Sequence, residues 1–185
     1  MKHIVRSVVT TAVVLGLAAA PAFAQTAKKK TMATKAMNDS TFVTKAAQGG
    51  MAEVELGKLA TEKASNDEVK KFGQRMVDDH SKANDELKTL AQQKNITVPS
   101  SLDARDKALR DRLSKLSGAA FDRAYMRAMV TDHRTDVNEF RMESKSGKDA
   151  EVKAFAAKTL PTLEDHLKLA QGANKSVVGT SGVKK

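Results

Sequence analysis

Residues 67–94, DEVKKFGQRMVDDHSKANDELKTLAQQK, decide the fold. Val69, Gly73, Met76, Ala83, Leu87 and Leu90 fall on one stripe whose steps alternate between four and three residues. That spacing lines a single face of an α-helix. Asn66 precedes the stretch and suits an N-cap, since its side-chain oxygen can take an unpaired amide of the first turn. One residue on the stripe breaks the apolar rule, His80.

The same seam recurs on both sides of this stretch. Residues 40–64 carry it as Phe42, Ala46, Gly49, Glu53, Leu56 and Ala60, with Asp39 placed to cap the helix. Residues 120–145 carry it as Met126, Met129, His133, Val137 and Phe140. Residues 149–173 carry it as Val152, Ala156, Thr159, Leu163, His166 and Ala170. Met, Ala and Leu on such stripes read as ordinary core. Ser65-Asn66, residues 95–100 with Pro99, Ser117-Gly118 and Ser146-Gly147 punctuate the helices, and short connections make antiparallel neighbours. Residues 102–116 read as a shorter, charged helix lying across the others. No strand-like alternation persists. The expected fold is all-α: an antiparallel four-helix bundle with an additional shorter helix between helices two and three.

The ends read differently. Lys2 and Arg6 precede an apolar run over residues 8–20, then Pro21 and the small-residue pattern Ala22-Phe23-Ala24. This is the order of a signal peptide, residues 1–24, cleaved after Ala24; the run is too short for a comfortable membrane span. The expected location is the periplasm, free or peripheral to a membrane. The chain has no cysteine, which excludes disulfides, a lipid-modified cysteine, thiolate ligands and cysteine nucleophiles.

The net charge of +10 is concentrated at the ends. Residues 25–38 hold Lys28, Lys29, Lys30 and Lys35 with no acid, and residues 174–185 hold Lys175, Lys184 and Lys185 with no acid. Residues 39–173 balance 23 Lys and Arg against 22 Asp and Glu. No basic face backed by stacking aromatics is left for a specific nucleic-acid partner. The segments 25–38 and 174–185 are expected to be a disordered linker and tail flanking a bundle at 39–173, with weak attraction to anionic envelope surfaces.

Each seam holds one residue foreign to an apolar core: Glu53, His80, His133 and His166. Burying such groups costs several kcal/mol, on the order of the figures for unpaired polar groups, unless each finds a partner. Every histidine of the set follows an aspartate: Asp79, Asp132 and Asp165. The strings Met76-Val77-Asp78-Asp79-His80 and Met129-Val130-Thr131-Asp132-His133 stand 53 residues apart, a hint of two repeated helical hairpins. Three readings stay open. The set is a structural polar network, a pH-responsive histidine cluster, or a metal site built from side chains on facing helices.

Imidazole nitrogen with carboxylate oxygen suits zinc, iron, manganese or copper, with zinc, copper and iron the ions expected here. Asp79, Asp132 and Asp165 are candidates to hold a ligating histidine's other nitrogen. A sequence neighbour points about 100° away around the helix, so each such partner would come from another helix. Met76 and Met129, one turn before His80 and His133, add a thioether option for Cu(I). No catalytic residue is assigned: there is no Gly-rich phosphate loop, no Gly-x-Ser-x-Gly elbow and no evident nucleophile.

Phe42, Gly49-Gly50, Glu53 and Gly57-Lys58-Leu59-Ala60, then Val69, Phe72 and Met76-Val77-x-Asp79-His80, form one set of motifs. Phe121-Asp122-x-x-Tyr125, Met129-Val130-x-x-His133 and Leu160-Pro161-x-Leu163-x-x-His166-Leu167 form a second. Together they resemble the bacterial exported family known as domain of unknown function 4142, labelled outer-membrane or periplasmic. The resemblance spans residues 41–171 and implies a ferritin-like bundle and an envelope location, with no activity attached. Carboxylate-bridged members of the wider ferritin-like group use Glu-x-x-His on two helices. Here Val77, Val130 and Leu163 stand three residues before the histidines, so that di-metal chemistry does not transfer. The expected function is an uncharacterised, non-enzymatic binding or stress-related role in the envelope. The alternative is a metal-binding or metal-dependent redox protein using Glu53, His80, His133 and His166.

Overall fold

A computed structural model describes residues 38–179. The expected signal peptide, its cleavage point at Ala24 and the linker up to residue 37 lie outside the described residues, as do residues 180–185. The described residues form five helices and no strand: α1 (Asp39–Lys63), α2 (Asp67–Gln93), α3 (Ala104–Ser114), α4 (Gly118–Ser146) and α5 (Ala150–Gly179).

Local chemistry sets most of the boundaries. Asn66 caps α2 by accepting from the amides of Glu68 and Val69, as its position predicts. The cap of α1 is Asn38 rather than Asp39, one residue earlier than expected. Asp39 instead ties α1 to the start of α5. Its two carboxylate oxygens accept from the amides of Lys148 and Asp149 at 3.0 and 2.7 Å. The end of α2 is a Schellman turn. Asn95 takes a left-handed φ of 54°, the Ile96 amide bonds back to the Ala91 carbonyl, and the Asn95 amide to that of Gln92. α5 runs to Gly179, six residues past the boundary expected at Ala173. Charge alone suggested a tail there, but Ala173 and Val177 are buried in the same apolar cluster as Leu113 and Phe121, and that burial carries the helix onward.

α1 packs on α2, α4 packs on α5, and the two hairpins meet through α1 on α4 and α2 on α5. The start of α1, the ends of α2 and α4 and the start of α5 share one apolar cluster, which includes Phe42, Leu87, Phe140 and Val152. α2 and α4 therefore run parallel on the diagonal. The chain must travel back along the bundle between them, and α3 lies within that connection, on the α1–α4 side. One long crossover between two antiparallel hairpins is the ferritin-like connectivity.

A second apolar cluster fills the other end, with Leu56, Met76, Phe121, Tyr125, Met129 and Ala170 among its members. On every long helix the polar seam residue falls between the two clusters, so Glu53, His80, His133 and His166 make a single layer at mid-bundle. Two glycines bring α1 and α2 close enough to build it. A Cβ at Gly57 would stand 2.6 Å from the Gly73 carbonyl oxygen, and one at Gly73 would stand 2.7 Å from the Ala60 Cβ.

Candidate metal centre

All four seam residues are buried, with exposures of 1 % for Glu53, 7 % for His80, 0 % for His133 and 1 % for His166. The imidazole centroids lie 5.9 Å apart for His80–His133, 5.3 Å for His80–His166 and 5.4 Å for His133–His166. One residue from each long helix therefore converges on a single layer, a meeting that the sequence left open.

The hydrogen bonds fix the tautomers of two rings. His166 Nε2 lies 2.9 Å from Asp79 Oδ2 and donates to it, because a carboxylate only accepts. His166 Nδ1 is then the nitrogen with the lone pair, and it is buried with no hydrogen-bond partner. His133 Nδ1 donates to the Met129 carbonyl at 3.0 Å, with Glu53 Oε1 also 3.1 Å away. That leaves His133 Nε2 as the lone-pair nitrogen, again buried and without a partner. The third ring, His80, places Nε2 2.8 Å from Glu53 Oε2, at ion-pair distance but out of line for a hydrogen bond. One ring nitrogen from each of the three histidines lies within 4.8 Å of the others.

Burial opposes charge on every member of the layer, and the partners decide who keeps it. Desolvation works against an ionised Glu53, but His133 and His80 outweigh it and hold the carboxyl down at about 2. Desolvation likewise works against a charged His80, and Glu53 outweighs it, raising that ring above the ordinary histidine value. For His133 desolvation prevails and the ring is lowered. For His166 desolvation also prevails and the ring falls to about 4. The Glu53–His80 pair is thus favoured in its charged form, while burial favours neutral rings at His133 and His166, whose lone pairs have no taker.

The three aspartates have separate fates. Asp79, on α2, holds His166 of α5, a cross-helix partner as the geometry of a helix requires. Asp165 does not touch a ring: it binds Arg75 at 2.8 Å, and Arg75 in turn reaches Asp79 at 3.2 Å. Asp132 departs further from expectation. Its carboxylate gathers with those of Glu53 and Asp136 on the side of the layer facing the crossover. Sequence reading missed Asp136, although it lies one turn beyond Asp132 on α4. Asp122, quoted from the sequence as part of a motif but given no role, accepts from the Ser65 amide and hydroxyl and the Asn66 amide and so pins the α1–α2 turn. Glu143, 2 % exposed beside Asp39, was the other omission.

A small cavity of about 20 Å³ adjoins the layer, bounded by Gly49, Gly50, Glu53, His80, Asn84 and Asp136 among others. Its volume is that of about one water-sized species.

A family model described as a domain of unknown function, DUF4142, matches residues 22–173. Solved structures share the fold. A DUF305 fragment from Deinococcus radiodurans is similar at a TM-score of 0.65 and 14% identity, covering 75% of this chain and 95% of its own. A DUF305 protein from Streptomyces coelicolor is similar at 0.61 and 13%, covering 72% and 88%. CopM in the Cu(I)-bound form is similar at 0.63 and 19%, covering 76% and 97%; CopM is also among the matches in Cu(II)-bound and Ag-bound forms. No curated protein matches the chain.

Proposed function

We propose that this chain, which belongs to the DUF4142 family, is an exported metal-binding protein whose mid-bundle layer holds one transition-metal ion, copper first among the candidates. The observation that carries the reading is the pair of buried, unpartnered lone-pair nitrogens, His133 Nε2 and His166 Nδ1, beside the equally buried His80 Nε2. A bundle that needed only a structural network would satisfy these atoms, since a buried polar group without a partner costs about 1–3 kcal/mol. A metal ion satisfies all three at once, and Glu53 supplies the negative charge below them.

Three nitrogens and an oxygen suit Cu(II) or Zn(II), and copper stands higher in the affinity order of divalent metals for such donors. The similar structures of CopM with Cu(I), Cu(II) and silver support copper as the first ion to test. Asp79 fixes the tautomer of His166 and raises its basicity, the usual role of a carboxylate behind a metal-bound imidazole. Binding at His80 displaces the proton that ring carries beside Glu53, so affinity rises with pH as that ring gives up its proton. The cavity of about 20 Å³ beside Glu53 and His80 leaves space for a water-sized molecule. Export is supported by the charged, apolar and small-residue order of residues 1–24. Among the described residues no helix is long and apolar enough to cross a membrane.

The test is calorimetric titration of the untagged protein with Cu(II) and Zn(II), alongside His133→Gln/His166→Gln. The expected result is one copper per chain, lost in the double variant while its helical content is retained. A folded wild type that takes up no stoichiometric metal would return the layer to a structural network.

A further inference from the structure

On α4, Asp132 and Asp136 stand one turn apart and present their carboxylates to Glu53 of α1. One oxygen of each lies within 4.8 Å of the other two. Three carboxylates at that spacing repel strongly in a desolvated setting, and counter-charge is sparse. Arg105 of α3 comes only within 4.0 Å of Asp132, on a side chain 74% exposed. Asp106, the next residue of α3, adds a further negative charge that Asp132 feels.

Two further observations point to a ligand. Glu53 is 1 % exposed, and its Oε1, 3.1 Å from His133 Nδ1, has no hydrogen-bond partner. The backbone opposite is pared back: Gly49 has no side chain, and even a Cβ there would stand 4.0 Å from Asp136 Oδ1. The adjoining cavity, bounded by Gly49, Glu53 and Asp136, is the size of a single water or ion.

We propose that Glu53, Asp132 and Asp136 form a second cation site, made only of oxygen donors, that takes a hard divalent ion of the Mn(II) or Mg(II) class. Oxygen-only ligands select such ions, whereas imidazoles select copper or zinc. Glu53 belongs to both groups: its two oxygens stand 2.8 Å from His80 and 3.1 Å from His133, and one of them lies within 4.8 Å of a carboxylate oxygen of each aspartate. The bundle thus carries two adjacent sites of opposite preference joined by one carboxylate. The sharing of Glu53 rests on the histidine site proposed above; the oxygen site itself does not.

Mn(II) is the probe, because its free form is read directly by electron paramagnetic resonance. The full-length protein, Asp132→Asn/Asp136→Asn and His133→Gln/His166→Gln are titrated with Mn(II), and in parallel with Cu(II). Melting by circular dichroism confirms that each variant is folded. The expected result is one Mn(II) per wild-type chain. The aspartate variant binds Mn(II) at least tenfold more weakly with copper stoichiometry unchanged, and the histidine variant does the reverse. No Mn(II) binding by the wild type, or Mn(II) binding undiminished in the folded aspartate variant, overturns the oxygen site. Failure of copper alone, with Mn(II) still governed by the aspartates, overturns the histidine site and leaves this one standing.

Discussion

Asp79 offers a way to separate metal affinity from folding. Its Oδ2 accepts from His166 Nε2 at 2.9 Å, and that bond alone keeps the ring in the tautomer that leaves Nδ1 free inside the bundle. In Asp79→Ala the ring loses its outer partner, its preferred tautomer and part of its basicity. Loss of such a partner behind a metal-bound histidine lowers affinity about 10–100-fold, or ~1.4–2.7 kcal/mol. The effect on folding should be smaller. A hydrogen bond to a charged carboxylate is worth ~1.5–3 kcal/mol when buried, but the Asp79 side chain is 29% exposed, so water replaces much of it. Asp79→Asn keeps an oxygen in place without the charge and should fall between the two. The assay is competition for Cu(II) against a chelator of known affinity, with urea unfolding of the metal-free variants beside it. Copper affinity equal to wild type in Asp79→Ala would refute the reasoning. So would equal losses of affinity and stability, because His166 would then be only a core residue.

Three further outcomes follow from the packing and charges. Gly57→Ala forces a Cβ to within 2.6 Å of the Gly73 carbonyl; backbone cannot swing aside, so urea unfolding should show a loss of ~1–3 kcal/mol and weaker copper binding as Glu53 parts from His80. Asp122→Ala strips partners from two amides and a hydroxyl at the α1–α2 turn. It should cost ~2–4 kcal/mol by the same unfolding measurement, with copper stoichiometry retained. Glu143 is raised to about 7 by burial and then by the nearby charge of Asp39. The native state therefore binds a proton that the unfolded chain releases, and stability falls as pH rises from about 4.5 to about 7. Glu143→Gln removes that loss: its melting temperature should exceed wild type at pH 8 and match it at pH 4, and a constant offset at both pH values would contradict the assignment.

Periodicity carried the sequence reading a long way. The steps of four and three placed Glu53, His80, His133 and His166 on inward faces because side-chain direction around a helix depends only on position along it. Height along the bundle is a different quantity. It depends on how far each helix slides against its neighbours and on which way the crossover runs, and no local pattern encodes either. That the three rings meet could be posed from the sequence but not decided. The same limit explains the aspartates. Residues one place before a histidine point away from it, so their partners depend on the neighbouring helix: Asp79 met His166 across the α2–α5 interface, while Asp132 met Glu53 across α1–α4. Asp136 stayed invisible because an acidic residue one turn past a seam position looks like a solvated flank until α1 and the crossover cover it. The end of α5 was misplaced for a related reason, since Lys175 suggested a tail and the buried pair Ala173 and Val177 outweighed it.

The most direct test of the metal-binding reading is the electron paramagnetic resonance spectrum of the Cu(II)-loaded protein, read for coupling to nitrogen. Three imidazoles on one copper predict a nitrogen pattern from three donors, reduced in His166→Gln and abolished as a single defined site in His133→Gln/His166→Gln. A spectrum that is unchanged in the double variant, or that shows copper spread over several weak sites in the wild type, would contradict a metal centre at the histidine layer.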